Sequence, residues 1–169
     1  LGLEAAYAYK NFRVQGEYMR SDIARDADKV AAGEDKYSLE GFYVQGSWLI
    51  NNADYYYNMG DAEFSQIDFR DVYKGAFELA LRYAYMDANT FKDGQDIPWM
   101  PGGAGETYTI GFNYHVNYNV KFMINYAYVN HDRWANGKGS FVTDETDPLP
   151  AGEAGIDFST IQARVLIAF

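Results

Sequence analysis

The chain has 169 residues, enough for one domain with a core of its own or for one small barrel. Its 24 acidic residues outnumber 14 basic ones for a formal net charge of -10, which argues against a general nucleic-acid binder, and the lack of cysteine excludes a disulfide framework and a Cys-ligated zinc site. Aromatic residues make up 18% of the chain, with 16 Tyr and 11 Phe, yet mean hydropathy is only -0.39, a pairing expected of strands with one apolar and one wet face.

The dominant signal is alternation with period two, in segments of about ten residues, the length a tilted strand needs to cross a bilayer. Residues 1–10 place Leu1, Leu3, Ala5, Tyr7 and Tyr9 on one face and Gly2, Glu4, Ala6 and Lys10 on the other. Lys10-Asn11 is a tight turn. Residues 12–22 then set Phe12, Val14, Gly16 and Tyr18 against Arg13, Gln15 and Glu17, and a polar loop follows over 23–36. The third segment, 37–50, slips in its alternation around Gly41, which suggests a bulge. Residues 51–74 are turn-rich and irregular. Alternation resumes over 76–87, with Phe77, Leu79, Leu81, Tyr83 and Tyr85 opposed to Glu78, Ala80, Arg82 and Ala84.

Residues 88–105 hold two prolines and a Gly-Gly-Ala-Gly run, and read as a loop with a flexible tip. Residues 107–116 set Tyr108, Ile110, Phe112, Tyr114 and Val116 against Thr109, Asn113 and His115. After a turn at 117–119, residues 120–132 set Val120, Phe122, Ile124, Tyr126 and Tyr128 against Lys121, Met123, Asn125 and His131. A long acidic loop leads to 158–169, where Ile161, Ala163, Val165, Ile167 and Phe169 share the apolar face.

No stretch approaches the roughly 18 unbroken apolar residues of a membrane helix. Leu1 already lies inside an alternating segment with no basic-then-apolar leader before it, so the chain is expected to begin partway through a longer protein. Connections alternate between tight (10–11, 117–119) and long (after Asp22, Asp87 and Asp132), as the periplasmic turns and outer loops of a membrane barrel do; only 51–74 breaks that parity. Tyr7, Tyr9, Tyr83, Tyr85, Tyr114 and Tyr128 gather near strand ends on the apolar face, where amphipathic rings sit at headgroup level. The ending on Phe169, with apolar residues at alternate positions before it, resembles the C-terminal signal read by the outer-membrane barrel assembly machinery. Together these features predict an antiparallel transmembrane β-barrel in a bacterial outer membrane. A soluble sandwich or lipocalin-like barrel also alternates, but its apolar face must pack inward and would mix small with large residues rather than carry tyrosines.

Particular residues point further. Tyr43-Val44-Gln45-Gly46-Ser47-Trp48-Leu49, then Tyr57-Asn58, then the run from Gly75 through Tyr85 (Gly-Ala-Phe-Glu-Leu-Ala-Leu-Arg-Tyr-Ala-Tyr) resemble the C-terminal half of the phosphate-selective porin O and P family. So do Tyr108-Thr109-Ile110-Gly111-Phe112-Asn113-Tyr114 and the run from Asn119 to Tyr126. The likeness extends from about Tyr37 to the end. It implies a sixteen-stranded, water-filled porin that assembles as a trimer. Seven strands are what the last stretch of such a barrel supplies, whereas complete bacterial single-chain barrels have even counts. The alternative is a complete eight-stranded barrel in which 53–59 or 63–69 adds a short strand and side chains fill the lumen. The family's phosphate-binding members line their channel with arginine and lysine. Acids outnumber bases here, so phosphate selectivity does not follow from the resemblance alone.

By parity the inward wall carries the bases Lys10, Arg13, Arg82, Lys121 and Arg164 and the acids Glu4, Glu17 and Glu78, with the polar residues Asn113, His115 and Asn125 beside them. The wall is therefore net basic and the acidity belongs to the loops, where bulk screening acts within about 8 Å. Arg82, Lys121 and Arg164 are expected to form one basic stripe, or else to pair across strands with wall acids and serve rigidity alone. His115 and His131 read as polar lining rather than metal ligands or catalytic groups, with no cysteine and no carboxylate at ligand spacing. Ser38, Ser47 and Ser159 have no histidine on a matching face for a lipase-type site. Gly137-Lys138-Gly139-Ser140 lacks the frame of a phosphate loop. Asp144, Glu145 and Asp147 form a solvated acidic loop with divalent binding, shared with lipopolysaccharide phosphates, as the sharper reading. The expected function is passive diffusion of small solutes, with anions such as phosphate among the candidates. It needs no cofactor, and the partners are outer-membrane lipid and lipopolysaccharide. The competing readings are a non-conducting barrel or scaffold subunit of an outer-membrane complex and, less well supported, a barrel enzyme.

Overall fold

A computed structural model describes residues 1–26, 36–60, 63–64, 66–92, 94, 96, 98–135, 155 and 157–168. Seven long strands form one antiparallel sheet: β1 (Gly2–Tyr9), β2 (Phe12–Ala24), β3 (Lys36–Leu49), β8 (Ala76–Asp87), β9 (Ala104–His115), β10 (Val120–His131) and β11 (Phe158–Ile167). Between β3 and β8 the described residues make four two-residue strands, β4 (Ala53–Asp54), β5 (Tyr57–Asn58), β6 (Glu63–Phe64) and β7 (Asp68–Phe69), and one 3-10 turn over Val72–Lys74. The long strands are neighbours in chain order, with β1 and β11 at the two edges.

Register holds without interruption through every pair, so the faces deduced from alternation connect across the whole sheet. Phe12 lies opposite Trp48, Trp48 opposite Leu79, Leu79 opposite Phe112, and Phe112 opposite Ile124. This outward face stays exposed along its length, with Leu3, Tyr7, Val44, Leu81, Ile110, Ile124, Ile161 and Val165 all open. Rings are stacked or tilted across its ends, with Phe77 on Tyr114 at 4.7 Å and Tyr83 on Tyr108 at 5.0 Å. At the long-loop end their hydroxyls have acceptors: Tyr83 and Tyr108 both donate to Glu106 Oε2 (3.0 and 2.9 Å), and Tyr128 donates to Asp157 (2.8 Å). An apolar body with a bonded polar tip suits a ring at a membrane interface.

Several expectations are corrected. No bulge interrupts β3 at Gly41, which pairs directly with Met19 and Met86. A Cβ at Gly41 would lie 2.9 Å from the Tyr85 carbonyl oxygen, so the glycine permits close strand approach rather than a slip. The described residues of 53–59 and 63–69 add no eighth strand to the sheet, because β4 pairs with β7 and β5 with β6 in two separate ladders. Nor is the Gly102–Gly105 run a loose tip. Ala104 and Gly105 belong to β9, the Gly103 carbonyl accepts from Ala88 N–H at 2.9 Å, and Gly103 (φ 82°) packs on the Ala135 backbone. The segments Gly137–Ser140 and Asp144–Asp147 and the terminal Phe169 lie outside the described residues.

The tight connections have local causes. Tyr9 opposite Phe12 leaves a two-residue hairpin, with Lys10 at φ 53°. At the β9–β10 turn the Asn117 side chain accepts from the backbone N–H groups of Asn119 (2.8 Å) and Val120 (3.0 Å), an Asx turn. The 51–75 insert closes on itself through Asn52 (φ 56°), whose amide donates to the carbonyls of Asp71 (2.6 Å) and Gly75 (3.0 Å). Asp71 caps the 3-10 turn, and the Tyr73 N–H together with Lys74 holds its carboxyl below the ordinary range.

The insert ends at Gly75, φ 63°, where an added Cβ would lie 2.8 Å from the Tyr114 ring and 2.9 Å from the His115 carbonyl oxygen. Backbone strain and clash there act together. Gly75→Ala should therefore destabilise the folded barrel by about 1–3 kcal/mol, read as a lower temperature for the heat-modifiable gel shift. A shift temperature equal to the parent's would show that the 75–76 junction tolerates a side chain.

Candidate functional site: the inward wall and its turn-end cluster

The inward face carries the charged and amide side chains of the long strands among small and some apolar residues: Glu4 opposite Glu17, Gln45 opposite Arg82, Arg82 opposite Thr109, and Asn125 opposite Gly111 and Gln162. Of the wall residues expected from parity, Arg13, Glu17, Glu78, Arg82, Asn113, His115, Lys121, Asn125 and Arg164 occupy inward ladder positions. Lys10 does not. It sits in the hairpin turn, exposed, with its ammonium 5.3 Å from the Tyr9 ring centroid, because the turn interrupts the parity that would have carried it inward.

The structure converges four of these residues at the tight-turn end. Glu78 on β8, 4% exposed, lies at the centre. Its Oε2 accepts from His115 Nε2 of β9 at 2.6 Å and is 3.6 Å from Lys121 Nζ of β10, and its Oε1 is 4.0 Å from Arg13 Nη2 of β2. A carboxylate removed from water is costly unless cations and donors surround it, and here three strands supply them. Arg13 is held in place by Nε donating to Ser47 Oγ at 3.3 Å. Asn113, opposite Glu78 on the ladder, is also buried.

The insert roofs this cluster. The Arg13 guanidinium lies 4.8 Å from the Tyr55 ring centroid and 5.1 Å from that of Phe64, stacked arrangements in which a cation meets the negative face of a ring. Tyr55 N–H donates to the Lys10 carbonyl at 2.8 Å, and Phe69 meets Tyr118 of the β9–β10 turn edge-on at 5.1 Å. Below them Leu49, Ala53, Ile67, Phe69 and Ala76 form a small apolar core. The Tyr55 hydroxyl is enclosed with no hydrogen bond of good geometry, and burial together with the Glu78 charge pushes its pKa up. Between insert and wall remains a cavity of about 570 Å³ bordered by Arg13, Tyr55, Phe64, Glu78, His115 and Lys121.

Arg82 is placed differently. Its guanidinium lies 3.8 Å over the Tyr43 ring and Nη1 donates to Gln45 at 3.2 Å, so it lies flat against the wall at mid-height. Arg164 on the edge strand faces Met123, in the same cross-strand row as Asn113 and Glu78. Arg82, Lys121 and Arg164 thus stand at separate heights, with Lys121 drawn to Glu78. The two histidines occupy opposite ends of the wall, His115 beside Lys121 and His131 beside Gly105. Sequence reasoning missed the Glu78–His115 contact and the roles of Tyr55 and Phe64. The first follows from the β8–β9 register, which the long 88–103 connection leaves unspecified in the sequence: Glu78 opposite Asn113 puts His115 two positions away on the same face.

A family model described as phosphate-selective porin O and P matches residues 1–149. The chain belongs to that family. The match takes in the insert and the whole Glu78 cluster and begins upstream of Tyr37, where the motif likeness starts. The chain is also similar to Porin O of Pseudomonas aeruginosa, 25% identical over 143 residues that cover 82% of this chain and 31% of that relative. It therefore spans about a third of that relative's length. No solved structure matches. An all-β wall with one polar and one apolar face is the architecture that a porin family requires, and the seven-stranded sheet is an open section of such a transmembrane barrel.

Because Arg13 holds the insert through two rings, Phe64→Ala should weaken the roof by about 0.5–1 kcal/mol of cation–π contact plus the buried ring area. Limited proteolysis of the membrane-embedded protein should then cut within 51–74 several times faster, while the long strands stay protected. Equal cleavage rates would mean that the insert is held without the Phe64 contact.

Proposed function

We propose that this chain forms part of the wall of a water-filled channel in a bacterial outer membrane, through which small hydrophilic solutes diffuse passively, with anions mildly favoured. The observation that supports this most strongly is the segregation of the sheet into an exposed apolar face with aromatic ends and a polar face carrying Arg13, Arg82, Lys121 and Arg164. A wall built to pack against a protein core would bury one of its faces. The tight-turn end, with the insert, is assigned to the periplasm and the long-loop end to the exterior.

The edges β1 and β11 carry unpaired backbone groups, each costing several kcal/mol in lipid, so neighbouring strands must pair with them. In the family reading those strands come from the rest of a sixteen-stranded barrel, and three such barrels associate. The ladder positions hold four bases against Glu4, Glu17 and Glu78, so the wall is slightly basic although the sequence pI is about 4.5. Charges facing a confined lumen act on a passing ion more strongly than loop carboxylates in bulk solvent.

The full-length porin in a planar bilayer should give ohmic current steps and a reversal potential of mild anion preference in a salt gradient. Changing Arg82 and Arg164 together to Ala should move that potential toward cations. Absence of current steps would favour a non-conducting scaffold. A cation-selective native pore, or an unmoved reversal potential in the double variant, would leave these arginines with a structural role only.

A further inference from the structure

The turn-end cluster contains more positive donor capacity than its one buried acid uses. Of the three groups around Glu78, only His115 makes a contact of hydrogen-bond length, at 2.6 Å. Lys121 stands off at 3.6 Å and Arg13 at 4.0 Å, and both keep side-chain exposure, 25% and 20%, where Glu78 has 5%. A salt bridge built for stability would bring at least one of the cations into direct contact, ideally with bidentate geometry for the arginine. Instead the two cations border the 570 Å³ cavity, and the carboxylate beside them is pinned by histidine. The ring faces of Tyr55 and Phe64 fix the arginine and limit its retreat. Such a place suits a small oxyanion bridging Arg13 and Lys121, already attended by a fixed negative charge from the protein itself.

Resting on the channel reading above, we propose that Glu78 is a built-in counter-anion: it partly satisfies an oxyanion subsite formed by Arg13 and Lys121 at the turn end of the pore, and so sets how weakly the pore prefers anions. Beside His115, the cluster carries two fixed cations, Arg13 and Lys121, against one buried carboxylate. Removing the Glu78 charge leaves both cations uncompensated and also removes the repulsion that an entering anion meets there. Glu63, the other acid bordering the cavity, is exposed on the insert and screened by solvent, so its charge acts less. The subsite is distinct from Arg82, which is stacked on Tyr43 four residues further along β8.

The test is bilayer electrophysiology on the full-length porin with Glu78→Gln, Glu63→Gln and Lys121→Gln variants, in chloride gradients and with inorganic phosphate as the probe anion. Glu78→Gln should raise the anion-to-cation permeability ratio at least about twofold, and phosphate should inhibit chloride current at several-fold lower concentration. Glu63→Gln should do markedly less, and Lys121→Gln should move the ratio the opposite way. If Glu78→Gln fails to assemble, Lys121→Gln decides: a shift toward cations with weaker phosphate inhibition supports the proposal, and no shift overturns it. An assembled Glu78→Gln pore with native selectivity and phosphate response overturns it as well. Should that happen while the Arg82 and Arg164 double variant still moves the reversal potential, the channel reading stands and only the counter-anion role falls. A protein that passes no current overturns both.

Discussion

Everything in this molecule depends on unbroken lateral pairing. In hydrocarbon a backbone N–H or C=O has no water to turn to, so each strand must give all its hydrogen bonds to its neighbours. Once pairing is continuous, period-two alternation does the rest, because residues directly opposite one another share a face and a slip of one residue would invert a whole strand. The six ladders from β1 to β11 hold register from end to end, and that continuity turns seven separate amphipathic strands into one surface that is apolar on one side and polar on the other.

The opposite face carries charged groups, and the structure fixes them in two ways. At mid-height Arg82 is spread over Tyr43 and tied to Gln45, which keeps its charge against the sheet. At the turn end the β3–β8 insert folds back over the wall, and its rings clamp Arg13 above Glu78. The same insert brings the small apolar core with it, so Leu49 faces inward yet is fully buried. The insert joins wall chemistry to fold stability: Asn52, Gly75 and Tyr55 hold a shape that the two-residue strands are too short to hold alone.

This division explains what could be read from the residues. Long strands announce themselves because ten or more alternating positions give a period, and the 76–87 segment coincides with β8 for that reason. In β3 the period looked broken, since Leu39, Gly41 and Leu49 put apolar or small residues on the inward face. Leu49 is explained only by the insert that covers it. The insert leaves no periodic signature because its strands are two residues long and its closure rests on side-chain caps. Parity does not survive a hairpin turn, so Lys10 is exposed in the turn and not on the inward face. The Glu78–His115–Lys121–Arg13 cluster joins positions far apart in sequence, and it becomes visible only when three ladder registers are known together. Glycines 102 and 103 looked like a flexible tip, whereas each is small because a neighbouring backbone leaves no room for a side chain.

The central claim is that this sheet has one lipid-facing and one water-facing side, and the absence of native cysteine in the chain allows a direct measurement. Single cysteines placed in turn at Leu79, Ala80, Leu81, Arg82, Tyr83 and Ala84 of the membrane-embedded full-length protein, itself made cysteine-free, can be challenged with a membrane-impermeant, water-soluble thiol reagent. The account predicts labelling at Ala80, Arg82 and Ala84 and protection at Leu79, Leu81 and Tyr83, with the reverse order for a bilayer-partitioning reagent. Uniform labelling along β8, or labelling of the leucine positions in preference to Ala80 and Arg82, would contradict it.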